Sequence, residues 1–107
     1  MTALFIVRAE VATEDRAAFD RWYETEHLPD AMAAFGTARA RRGWSETDPG
    51  IHVAVYEFGT LEEARAIAGG DASDTIRALI AEFDRVWPTV QRTREIVGIR
   101  QVLDAND

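Results

Sequence analysis

Apolar residues run almost without break from Ala3 to Val11, through Leu4, Phe5, Ile6 and Val7. Such a run predicts a strand covered on both faces, hence one near the centre of its sheet. Thr13 reads as an N-cap, with Glu14 and Asp15 placing negative charge at the positive end of a helix from Glu14 to His27. Pro29 predicts a stop there, because it disfavours helical geometry at Leu28 and has no N–H to donate. Asp30 to Phe35 is long enough for another turn or two before Gly36 ends it. Thr37 to Trp44 alternates small and basic residues, the pattern of a strand with a wetter face near a sheet edge. Asp48-Pro49-Gly50 marks the turn into Ile51 to Phe58, where Val53 and Val55 point one way and His52, Ala54, Tyr56 and Phe58 the other. Thr60-Leu-Glu-Glu63 is a capping box that opens a short helix ended by Gly69-Gly70. Ser73 caps the next helix, in which Ile76, Leu79, Ile80, Phe83 and Trp87 recur at three- and four-residue spacing until Pro88. Val90 to Val102 reads as a long strand with mixed faces, and Asp104 to Asp107 as a frayed end.

The order strand, helix, strand, strand, helix, strand repeats one unit twice, which is the split βαβ plan. The expected fold is therefore α+β, ferredoxin-like, a single domain over residues 1–107 with a four-stranded antiparallel sheet. Both helices of that plan cover one sheet face. Because the first and third strands are apolar on both faces, the other face needs a cover too, and a second copy of the chain is the simplest one.

Composition narrows the partners. A formal net charge of −7 over 107 residues disfavours nucleic acid and anionic membrane, both of which need clustered cations. The absence of cysteine removes disulfides, thiolate metal sites and a cysteine nucleophile, and makes a reducing cytoplasm the simplest setting. Leu4 to Val7 is too short for a signal peptide or a membrane span. Two histidines and scattered acids show no ligand spacing for a metal, and no phosphate loop or dinucleotide fingerprint occurs. No cofactor is expected; haem stays open, since one histidine suffices as an axial ligand.

Candidate chemistry gathers at the end of the first helix. At about 100° per residue, Phe19, Trp22, Tyr23 and Glu26 share one arc of about 100°, with His27 at its edge. A helix C-terminus and an aromatic surround both disfavour an ionised Glu26, which would suit it to proton transfer; pairing with Arg39, Arg41 or Arg42 is the plainer alternative. His27 can take and return a proton near neutral pH, or simply sit against the helix dipole. His52 and Tyr56 share a strand face and would offer an imidazole and a phenol to a ligand, or else pack in a dimer. Arg41, with Arg39 on its face, could hold a carboxylate or phenolate, or be a solvated edge charge.

Trp22-Tyr23-x-x-Glu26-His27-Leu28-Pro29, placed on the first helix of a βαββαβ chain, resembles the dimeric α+β barrel superfamily and especially its EthD-like members. The resemblance implies a homodimer with a cleft between each protomer's sheet and helices, holding small, often aromatic or polyketide-like molecules. It also implies activities such as cofactor-free oxygenation, cyclisation, dehydration, lactone isomerisation or haem degradation, with His27, Trp22, Tyr23 and Glu26 bordering the cleft. The resulting expectation is a pocket for an apolar or aromatic molecule, with His27 and Glu26 as acid-base groups and Trp22, Tyr23, His52, Tyr56 and Arg41 as ligand contacts. A non-catalytic binding or structural barrel is the other reading.

Overall fold

The computed structural model describes residues 2–68 and 73–105. Strands β1 (Ala3–Glu10), β2 (Arg39–Trp44), β3 (Ile51–Phe58) and β4 (Gln91–Gly98) form one antiparallel sheet in the order β2-β3-β1-β4. The apolar first strand is indeed central: Ala3 lies opposite Phe58 and Gly98, and Glu10 opposite Ile51 and Gln91. With the helices on one face, this is the ferredoxin-like α+β arrangement expected from the element order. No helix among the described residues is long and apolar enough to cross a membrane.

Alternation decides which side chains meet the helices. Phe5, Val7 and Ala9 of β1 and His52, Ala54, Tyr56 and Phe58 of β3 are buried on the helix-covered face. Leu4, Ile6, Val53 and Val55 lie on the opposite face, only half buried. The first strand keeps its two-sided apolar character as far as Val7; Arg8 then pairs with Glu95 on the open face.

The first helix departs from expectation at both ends. Thr13 does not cap it: Thr13–Asp15 forms a 3-10 turn, and no side-chain cap bond is made there. Pro29 does not stop it. Helix α1 (Arg16–Trp22) passes through a π turn (Tyr23–His27) into α2 (Leu28–Phe35). The Leu28 N–H donates to the Tyr23 carbonyl, five residues back. In a regular helix the Pro29 ring would press on the carbonyl of Thr25. The widened turn spans Thr25 and lies directly before the proline, so the helix continues. It ends at Gly36, whose left-handed φ of 68° lets its N–H donate to the Met32 and Ala33 carbonyls at 3.1 and 3.3 Å.

Helix α3 (Leu61–Ala68) starts at Thr60, whose Oγ1 accepts from the Glu63 N–H at 3.1 Å. Its expected end at Gly69-Gly70 lies outside the described residues. Helix α4 (Asp74–Val86) is capped by Ser73, whose Oγ accepts from the Ile76 N–H at 3.3 Å. Strand β4, Gln91–Gly98, is shorter than the expected Val90 to Val102. It ends at Gly98 because β1 begins at the opposing Ala3; one more bond, Ile99 N–H to the Thr2 carbonyl at 2.9 Å, lies just beyond. Val102 and Leu103 are exposed, and the expected fraying at Asp104 to Asp107 falls partly outside the described residues.

Candidate functional site

The π turn decides which side chains face the interior. In a regular helix Glu26 would share the aromatic arc and His27 would sit at its margin. An i→i−5 bond admits one additional residue to the turn and rotates the residues beyond it. His27 consequently turns inward and is buried, whereas Glu26 is exposed. The imidazole stacks on Trp22, with centroids 4.7 Å apart and planes 19° apart, and meets Tyr23 edge-on at 4.8 Å. The aromatic surround expected around Glu26 thus belongs to His27.

Beneath these rings, between the sheet and α2, α3 and α4, lies a cavity of about 100 Å³. Its floor is Phe5, Val7 and Tyr56 of the sheet, and its roof includes Phe35, Ile76 and Ile80. Tyr23 and His27 form one wall, and Arg92 and Arg94 another. Arg92 and Arg94 lie opposite Ala9 and Val7, so both stand on the helix-covered face of β4.

Burial sets the protonation of these groups. His27 is pushed down to about 4, chiefly by burial and further by the Arg92 charge, so its imidazole is neutral at pH 7. Burial pushes the phenols of Tyr23 and Tyr56 upward, so both keep their protons. Arg92 is lowered by burial and by Arg94, and ion-pairs with Asp84 at 2.6 Å while lying 3.8 Å over the Phe83 ring.

A second polar cluster stands behind Tyr23. Asp20 Oδ1 accepts from Arg42 Nη1 and Trp44 Nε1, each at 2.8 Å, and these bonds hold its carboxyl below the usual range. Arg42 Nη1 also lies 3.2 Å from His52 Nε2. A guanidinium only donates, so Nε2 accepts and the His52 proton sits on Nδ1. Burial, with Arg42 next, lowers His52 to about 4. Its ring packs 4.3 Å from that of Tyr23 and 5.2 Å from that of Phe19.

The structure therefore brings His27, Tyr23 and Tyr56 together on the cavity and sets His52 one layer behind. Trp22 and Glu26 line a separate outer groove with Asp30 and Glu82, on the far side of His27. Arg41 lies opposite Val55 on the open sheet face, 4.0 Å from Glu57 and away from the cavity. Arg92 and Arg94 escape the sequence reading. Their signal is the alternation Arg92, Arg94, Ile96, which puts two cations and an apolar residue on one face of a strand that reads as mixed. Among the described residues no group of three or more histidines or acids is placed to hold a metal.

No protein-family model and no curated protein matches the chain. Solved structures do. An EthD family protein from Bacillus halodurans c-125 superposes with a TM-score of 0.70 at 17% identity, covering 94% of this chain and 100% of its own. A NIPSNAP family protein from Agrobacterium tumefaciens str. C58 gives 0.66 at 9% identity, with 91% of each chain covered. SnoaB, a cofactor-independent oxygenase from Streptomyces nogalater, gives 0.62 at 15% identity, covering 95% of this chain and 96% of its own. At these identities the shared property is the fold, and the resemblance read from Trp22 to Pro29 is met at that level.

Proposed function

We propose that the chain is one protomer of a cytosolic homodimer that holds a small apolar or aromatic molecule in the cavity beside His27 and acts on it without a cofactor by proton transfer. The observation that carries this reading is a buried, neutral imidazole facing an apolar cavity lined by two protonated phenols and two guanidiniums. Neutral His27 is the proton acceptor. By itself a base of pKa about 4 is weak, but an anion forming in the cavity would stabilise the imidazolium and raise its proton affinity. Tyr56 and Tyr23 supply O–H donors to the developing oxyanion, and Arg92 and Arg94 supply charge. His52, locked through Arg42 and Asp20, holds the Tyr23 ring in place. Glu26 is left for exchange of the proton with solvent from the outer groove. At about 100 Å³ the cavity is somewhat smaller than the dry cavity of about 150 Å³ known to admit benzene, so the reading calls for a compact ligand of no more than one ring.

The structural neighbours support the reading by analogy of fold; SnoaB is described as a cofactor-independent oxygenase. The test is turnover of hydroxylated aromatic compounds, with products detected by mass spectrometry. The native protein should yield product, and His27→Ala should abolish it while leaving the dimer intact. Because His27 must be neutral to accept, kcat/KM should be level above about pH 5 and fall as pH drops through about 4. A variant that turns over as the native protein does would refute the assignment.

A further inference from the structure

The edge of the cavity formed by β4 carries charge that the rest of its lining does not explain. Arg92 and Arg94 stand two residues apart on one strand face, close enough for the charge of Arg94 to disfavour that of Arg92. Arg92 is shielded, with Asp84 as its ion-pair partner and the Phe83 ring against its plane. Arg94 is exposed at the mouth and has no hydrogen bond or ion pair among the described residues. A chain with 19 acidic residues against 12 basic ones has acids to place beside it, and none of the described ones lines the cavity. Among the described residues the remaining lining is apolar apart from two phenols and an imidazole.

From this juxtaposition we propose that the ligand is an amphipathic acid: one compact apolar ring seated between Phe5, Tyr56, Ile76 and Ile80, with a carboxylate or ionised enol or phenol oxygen held at the cavity mouth by Arg94. The inference rests on the proposed pocket function and adds the class of molecule. A guanidinium grips a delocalised oxyanion through paired N–H donors, which fits a planar acid better than a neutral polar group. Arg94 is the gripping residue, because Arg92 is already engaged by Asp84.

The test is calorimetric titration of the full-length protein with benzoate, benzamide and acetate. Benzoate should bind roughly tenfold more tightly than either, the expected value of one charge-assisted contact and of one buried ring. Arg94→Gln, at an exposed position that leaves the fold unchanged by circular dichroism, should bring benzoate to the level of benzamide without altering benzamide. Benzamide binding as tightly as benzoate, or benzoate indifferent to Arg94→Gln, would overturn the acid while leaving the pocket. Acetate binding as tightly as benzoate would reduce the site to a surface cation and overturn the proposal. Failure of all three compounds to bind would remove the pocket as well.

Discussion

His27 and His52 are neutral because they are buried, and burial of that kind has a pH signature. Each ring is lowered from 6.5 to about 4, so between those values the unfolded chain binds protons that the folded chain refuses. Stability is then fully present above about pH 6.5 and declines as pH falls toward 4, by on the order of 2 to 3 kcal/mol for each ring. NMR titration of the ring protons should show both imidazoles neutral down to about pH 4, and urea midpoints should fall over the same window. Rings titrating near 6.5 would contradict the burial. The sequence shows that a polar residue sits among Phe19, Trp22 and Tyr23, but points to Glu26 for the place. The residue types are legible and the angle is not, because a regular advance of about 100° per residue does not anticipate a π turn. Arg92 and Arg94 are hidden for a different reason. Their function depends on which face of β4 meets the helices, and that is set by pairing with Val7 and Ala9, far away in the chain.

Elements whose signals are local were legible. Gly36 ends α2 and Ser73 starts α4, each through the bond its residue type predicts. Ser73→Ala should therefore cost about 1 kcal/mol, read as a lowered urea midpoint with unchanged slope, since only one cap bond is lost. A loss below a few tenths would mean that packing of Ile76 and Phe83 alone sets the start of α4. Elements governed by tertiary context were less legible. Pro29 carries a strong stop signal, yet Ala31 beyond it is completely buried and Phe35 packs against Phe5 and Tyr56 at 5.9 and 4.9 Å. Continuing the helix buries these groups, and the π turn relieves the clash that would have ended it. The end of β4 likewise depends on where β1 begins, which its own residues do not record.

At the scale of the molecule, one sheet face is sealed by helices and the other presents Leu4, Ile6, Val53 and Val55 half exposed. Such a face is consistent with the homodimer expected from the sequence, two sheets packed face to face. Sedimentation should give a dimer at micromolar concentration. Val55→Arg should give a monomer, because it sets like charges against one another across a two-fold axis that buries apolar surface. The cavity lies on the opposite side of the sheet, so the same variant should still bind benzoate; a native monomer would refute the arrangement. The fold was readable from element order because the βαββαβ pattern needs only the type and sequence of elements, whereas the site needs angles and pairings as well.

The π turn also bears on how this chain should be aligned with others. A helix that absorbs one surplus residue can exist elsewhere without it, both halves keeping the same phase. An alignment that forbids a gap between Tyr23 and His27 would slide one half by a position. It would then match Glu26 to the residue that stands where His27 does. Structure-based superposition, placing the gap at Thr25, avoids that error.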